Sequence, residues 1–297
     1  MNLKQLVNHS TDKEHFKSIQ DYIDFCLRYL EYIEDNLQVV IISQNENHYN
    51  FYQYTKQGNY QITRPINSNL MYTFAGFSKA ARLFLKILHD VKNITEDSDK
   101  LIINRSVYTM QQSIGATLDA LPAGKSNTAR KINGDLFEQF IRLIIKEIGI
   151  NCSAGVVQIP VLINRKKAFD MTYQHDLIIK ENDRVKIIGS IKTSSKDRLD
   201  KIFIDKFLYN KLTETNIPHI AIFLNDVQRK NTSIENEYGI NATFLPGHFK
   251  GYSVKLNPLD GVYYCDIRPN MKTETILKDY IKTFDCLLRE DIWNFLK

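Results

Sequence analysis

Residues 174–205 read QHDLIIKENDRVKIIGSIKTSSKDRLDKIFID, and the order of apolar and charged positions in them decides the fold. A short apolar strand carries Asp176 near its start, and polar residues 181–184 make a tight turn. A second strand then ends in Ser190-Ile191-Lys192. Side chains on a strand alternate between faces, so Ser190 and Lys192 share one face while Val185, Ile187 and Ile191 take the other. The hairpin therefore brings an aspartate beside a lysine on one sheet face, an arrangement suited to holding a cation against a phosphate. The basic stretch that follows opens a helix over about 197–212, for which Ser194, Ser195 and Asp197 are candidate caps.

Around the hairpin, the second half of the chain reads as helix, strands, helix, strand, strand. Asn133-Gly134 precedes an apolar stripe of Leu136, Phe137, Phe140, Leu143, Ile144 and Ile148, which predicts a helix over 135–148 closed by Gly149. Strands are expected over 156–162, 217–224, 244–256 and 261–267, and helices over 273–296. Helices on both sides of a mixed sheet make an α/β three-layer sandwich. In the first half, Phe16, Ile19, Tyr22, Ile23, Cys26, Leu27 and Leu30 recur at helical spacing over 13–35. Strands are predicted over 37–43 and 49–62, and a second helix from a Ser78 cap through residue 91. Residues 93–100 read as a loop. The stretch LPAGKSN, reached through residues 101–120, marks a boundary between an α+β region, residues 1–124, and a second unit, residues 125–297.

Composition excludes several classes of function. No apolar run of eighteen or more residues is present, so no membrane partner is expected, and the N-terminus lacks a signal-peptide core. Four scattered cysteines form no CxxC pair and no His cluster has zinc spacing, which predicts reduced structural thiols in a cytoplasmic protein. The net charge is only +5, but the basic residues cluster: Lys125, Arg130 and Lys131; Arg165, Lys166 and Lys167; Lys192, Lys196, Arg198 and Lys201. Gly124-Lys125-Ser126 is not a phosphate loop, because Asp119 stands where that motif needs glycine. As the entry to a helix, its neighbours Lys125, Arg130 and Lys131 suit a nucleic-acid backbone or a solvated linker. Lys196 and Arg198 at a helix start suit phosphate oxygens. Gln228 and Arg229, leaving the buried strand 217–224 in a loop, have the side chains that read adenine and guanine bidentately. Residues 231–241 read as a polar loop, His248 as a packed histidine, and Trp293 with the Tyr/Phe-rich segments as core.

The layout Gly134-x-x-Phe137-Glu138 on a helix, Asp176 on a strand, then a position two residues before Lys192, resembles the PD-(D/E)XK nuclease superfamily over about residues 127–267. The run ending Ile191-Lys192-Thr193-Ser194-Ser195-Lys196-Asp197-Arg198 is similar to the segment after the catalytic lysine of type II restriction endonucleases. Ser190 departs from the usual carboxylate, but a subgroup of these enzymes also carries serine there and takes a carboxylate from the next helix. The resemblance implies Asp176 as metal ligand, Ser190 as the vacated position and Lys192 as catalytic lysine. Asp205, thirteen residues after Lys192, is the candidate migrated carboxylate, with Asp197 and Asp200 as competitors; Glu138 on the first helix is the other source of the missing charge. It further implies Mg²⁺, double-stranded DNA cut at a short specific sequence, a homodimer, and a cognate DNA methyltransferase acting on the same site without a stable complex in the bacterial cytoplasm. Residues 1–124 are then expected to serve DNA contact, dimerisation or both. Two alternatives remain open at this point: a structure-selective nuclease of the same superfamily, and a non-catalytic DNA-binding protein on a decayed nuclease fold.

Overall fold

A computed structural model describes residues 2–54, 62–122, 124–196, 198–234 and 236–297. Asp197 lies outside them, as do residues 55–61 of the strand expected over 49–62. The first half begins with helices α1 (Leu3–Thr11) and α2 (Ile19–Asn36), then a small antiparallel sheet of β1 (Val39–Ile42), β2 (Tyr49–Gln53) and β3 (Ile66–Asn67). Helices α3 (Phe74–His89), α4 (Asp97–Leu118) and α5 (Ser126–Glu147) follow. Next come β4 (Cys152–Ile163), β5 (Lys166–Glu181), β6 (Arg184–Ser194), α6 (Leu199–Thr213), β7 (His219–Asn225), β8 (Val227–Asn231), β9 (Tyr238–Ala242), α7 (Pro246–Lys255), β10 (Gly261–Tyr264) and β11 (Ile281–Thr283).

Six strands form one mixed sheet in the order β11-β10-β7-β6-β5-β4. Its β4-β5-β6 part is antiparallel, while β6, β7, β10 and β11 run parallel. Alternation along the strands supplies two apolar faces. Leu177, Ile179, Ile187, Ile191 and Ile222 pack toward α5, whose Leu136, Phe137, Phe140 and Ile144 are fully buried. Ala221 and Phe223 pack on the other side against Phe203 of α6 and Phe249 of α7. The three-layer sandwich around a central mixed sheet is therefore present. Its largest core also runs through both halves of the chain: Tyr22 of α2 stacks on Phe140 at 4.3 Å between ring centroids, and its hydroxyl donates to the Leu136 carbonyl at 2.8 Å.

Several elements differ from expectation, each for a physical reason. The stretch 93–100, read as a loop, contains the start of α4, where nearly every residue from Ile103 to Leu118 is buried. A helix buried all round has no polar stripe and so no visible period. Several of its polar side chains are bonded internally, as where Gln111 Nε2 donates to Asn133 Oδ1 at 2.9 Å, although Ser106 Oγ finds no partner among the described residues. Thr73, not Ser78, caps α3, accepting from Gly76 N at 3.2 Å; Ser78 donates back to the Phe74 carbonyl. The helix expected from residue 135 begins at Ser126, because Gly134 sits within it in open space. Residues 244–256 are not a strand: Pro246 opens α7, its missing N–H costing nothing in a first turn. The stretches 225–230 and 231–241, read as loops, contain β8 and β9, which pair with each other and bury Val227 and Ile240 against Tyr49 and Phe51. The C-terminal segment is broken into short turns around β11, whose pairing with β10 is a long-range event that no local pattern announces.

Because the Tyr22–Phe140 stack joins the halves, Tyr22→Ala is expected to cost about 3–5 kcal/mol. The fluorescence of the single tryptophan, Trp293, and far-UV circular dichroism should then report one coincident transition at lower temperature. Two separated transitions would show that the halves fold independently.

Candidate active site

The hairpin of β5 and β6 is pinned at its turn and opened at its far end. Asn182 and Asp183 both take positive φ (49° and 62°), the backbone form of a tight two-residue hairpin turn. Pairing runs from Glu181↔Arg184 to Leu177↔Gly189. A Cβ at Gly189 would stand 2.9 Å from Leu177 Cδ2, so only glycine lets the strands approach there. Beyond this pair β6 continues to Ser194 beside β7, whereas β5 stays with β4 and carries an extra residue, its register shifting between Ser153↔Ile178 and Gly155↔His175. Asp176 lies in that bulge. Bulges commonly re-aim a side chain, and this one does.

Two hydrogen bonds hold Asp176 where the strands part. Its Oδ2 accepts from the Ile191 backbone N–H at 2.9 Å, in place of a ladder carbonyl. Its own carbonyl accepts from Arg142 Nη1 of α5 at 2.8 Å. Lys192 Nζ then donates to Asp176 Oδ2 and, at 3.0 Å, to Glu138 Oε1. Three side chains from three elements thus converge in one partly solvated cluster, with Asp176 13%, Glu138 24% and Lys192 29% exposed. Burial first, and then the neighbouring Asp176 charge, push the Glu138 carboxyl above its ordinary range; Lys192 and Arg142 act in the opposite direction. Two carboxylates around one ammonium leave a net negative charge, which favours an added cation.

The other residues singled out in the sequence fall into distinct places. Ser190 is on β6 opposite Ala221 of β7 and makes no side-chain hydrogen bond among the described residues. Asp205, one turn along α6 from Lys201, is ion-paired to it, and its charge acts on His175 and Tyr173. Asp200 stands 3.8 Å from His248, which is exposed rather than packed. The structure therefore brings Glu138, and no residue of α6, into hydrogen-bonded contact with Lys192. Lys125, Arg130 and Lys131 are exposed at the start of α5, with Arg130 3.3 Å from Asn127. Lys196 and Arg198 are exposed between β6 and α6. Gln228 is half-buried on β8, and Arg229 has its Nη1 committed to the Ile62 carbonyl at 2.8 Å. Arg142 was not singled out from the sequence; its position four residues after Glu138, one helical turn on the same face, is the signal that could have found it.

All four cysteines are free thiols, and burial pushes Cys152 up to about 11. Burial raises the other three thiols as well. Among the described residues no helix is long and apolar enough to cross a membrane.

No family model and no curated protein matches this chain. Among solved structures, it is similar to the type IIP restriction endonuclease Kpn2I, with a TM-score of 0.72 and 19% identity over 99% of this chain and 97% of that one. A complex of the restriction endonuclease PspGI with substrate DNA matches with a TM-score of 0.48 and 15% identity, over 74% of this chain and 90% of that chain. The fold shared with Kpn2I extends over essentially the whole chain, including the first half.

Replacing Lys192 by Met leaves Asp176 and Glu138 facing each other without their common cation. In chelator at pH 8 the variant is expected to unfold about 1–3 kcal/mol more easily than wild type. A carboxyl whose folded pKa is raised stabilises the folded state at low pH and loses that contribution as pH rises through the raised value. The deficit should therefore shrink as pH falls and Glu138 takes up a proton; a deficit independent of pH in denaturant titrations would contradict this electrostatic account.

Proposed function

We propose that this chain is a Mg²⁺-dependent type II restriction endonuclease of the PD-(D/E)XK kind, hydrolysing double-stranded DNA at a short specific sequence. The observation that carries the proposal is the contact of Lys192 with both Asp176 and Glu138 at the point where β5 leaves β6. The full-length fold shared with an enzyme described as a type IIP restriction endonuclease supports it.

The donor set suits the metal. No group of three or more His, Cys, Asp or Glu side chains among the described residues forms a closed metal cage. Mg²⁺ does not need one, since it keeps several waters and binds through one or two carboxylates and substrate phosphate oxygens. Asp176 and Glu138 would hold it, Glu138 supplying the charge that Ser190 lacks. When bound, the ion offsets charge developing on the phosphate and supplies hydroxide near neutral pH. Asp176 is kept in place by Ile191 N–H and Arg142, so its oxygens need not reorganise on binding. Lys192 is positioned to donate to a non-bridging phosphate oxygen or to orient the attacking water. Lys196 and Arg198 contact the backbone beside the scissile phosphate, and Lys125, Arg130 and Lys131 contact it further along. Gln228 contributes to base reading; Arg229, tied to Ile62, serves mainly to fix β8. A homodimer matching a two-fold symmetric site follows from this reading, with residues 1–124 contributing to DNA contact or dimerisation. A cytoplasmic setting and a methyltransferase protecting the same sequence belong to it as well.

Incubation of diverse plasmid DNAs with purified protein and Mg²⁺ tests the proposal. Wild type should give discrete fragments, and chelation should stop the reaction. Lys192→Ala and Asp176→Asn are expected to lower the rate by about 10²–10³-fold or more, and Glu138→Gln far more than Asp205→Asn. Cleavage by Asp176→Asn and Lys192→Ala at the wild-type rate would refute the site assignment, and the reverse order of Glu138 and Asp205 would move the second carboxylate to α6.

A further inference from the structure

We infer that the two-stranded arm formed by β4 and β5 beyond Asp176 is a DNA-contacting ribbon, its Arg165-Lys166-Lys167 tip gripping the backbone outside the cut site. The inference rests on the nuclease reading and extends it to a surface remote from the Asp176–Lys192 cluster.

The arm is a consequence of strand pairing. β5 meets β6 only from Leu177 onward, but its pairing with β4 continues out to Ile163↔Lys166. Residues 166–175 of β5 thus form a two-stranded extension, about 33 Å long at roughly 3.3 Å per residue. Its base is anchored where Ile159 and Tyr173 pack against Tyr209 of α6. The outer part is unsupported: Leu162, Ile163, Phe169 and all of residues 164–168 are exposed. Asn164 and Arg165 take positive φ (51° and 65°), so a tight turn presents the tip. Across residues 152–175 the formal charges are Arg165, Lys166 and Lys167 against Asp170 alone, and Asp170 is engaged by Lys167 at 2.7 Å.

The direction of the arm identifies its partner. β6 runs on past Lys192 at the end of the sheet from which β5 and β4 project, and delivers the exposed Lys196 and Arg198 there. Helix α5 leads into β4 through residues 148–151 and so runs back along it, which places the α5 start, with Lys125, Arg130 and Lys131, toward the same end. Three basic segments from separate parts of the chain thus lie toward one end of the sheet, the arm tip farther out than the other two. A polyanion lying across that end meets all of them, and a two-stranded ribbon is a shape that a DNA groove admits. A second copy of this chain is a poorer occupant. Pro160 removes a donor from the β4 edge and register shifts interrupt the ribbon, both of which blunt strand-to-strand addition. A two-fold contact between tips would set like charges against one another.

The test compares wild type with an R165A/K166A/K167A variant, and with K166E as a milder change, on a fluorescent duplex of roughly 40 base pairs without Mg²⁺. The triple variant should bind about a hundred-fold more weakly at ~0.1 M salt, with the slope of log affinity against log salt reduced by about 2. Trimming the duplex should cost wild type affinity but cost the variant little. Unchanged affinity and slope in a variant with wild-type melting would overturn the ribbon assignment while leaving the nuclease reading intact. A variant that sediments as a smaller species than wild type would overturn it in favour of a contact between copies. Wild type that binds no duplex at all would bring down the nuclease reading and the ribbon with it.

Discussion

The hydrogen bond from the Ile191 backbone to the Asp176 carboxylate is the constraint on which the remaining arrangement depends. A sheet normally satisfies each backbone N–H with a carbonyl from the next strand. Here β5 leaves β6 after Leu177↔Gly189, and a side chain takes over from the ladder. That substitution does two things at once. It ends the β5–β6 pairing without leaving the Ile191 donor unsatisfied, and it fixes a carboxylate at the resulting gap. Lys192 is the next residue along β6 and meets that carboxylate, while α5 supplies Glu138 from the layer packed on the sheet. Arg142, a turn further along α5, ties the bulged carbonyl of Asp176 to the same helix. The cluster is therefore held by backbone geometry rather than by loops, which is how a site is kept ready before its ligand arrives.

The parting of the strands also gives the molecule its asymmetric end. Once free of β6, β5 can continue only with β4, and the pair becomes an arm beyond the supported sheet. On the other side of the gap β6 runs out into Lys196 and Arg198. The first half of the chain meets the second through α2 against α5, and through β8 and β9 against β1 and β2. A single core thus spans regions that composition separates at LPAGKSN.

Legibility in the sequence followed how local each signal was. The β5–β6 hairpin, α6 and β7 were readable because period-two alternation, the turn residues and an apolar run are local features. Asp176, Lys192 and Glu138 were readable as a set because their order along helix, strand and strand resembles a known layout. Helix α4 was hidden by burial on every side, which erases the contrast between faces that defines a period. The strands β8, β9 and β11 were hidden for another reason: five or fewer residues each, they exist because partners distant in sequence complete them. Whether Glu138 or Asp205 lay beside Lys192 was open from spacing alone, since one is fifty-four residues before it and the other thirteen after it. Packing of α5 across the sheet puts Glu138 against Lys192, while Asp205 on α6 is ion-paired with Lys201. Arg142 was missed because a side chain that bonds a bulged carbonyl leaves no mark until the bulge is seen.

In the proposed reaction Asp176 and Glu138 jointly hold a divalent cation against a DNA phosphate, with Lys192 beside it. A structure of the protein with duplex DNA and Ca²⁺, an ion bound by oxygen ligands at about 2.3–2.6 Å, tests this most directly. The ion is expected between the Asp176 and Glu138 carboxylates, with a phosphate oxygen in its coordination shell and Lys192 Nζ turned toward that phosphate. A duplex bound away from this cluster, or an ion held without Asp176, would contradict it.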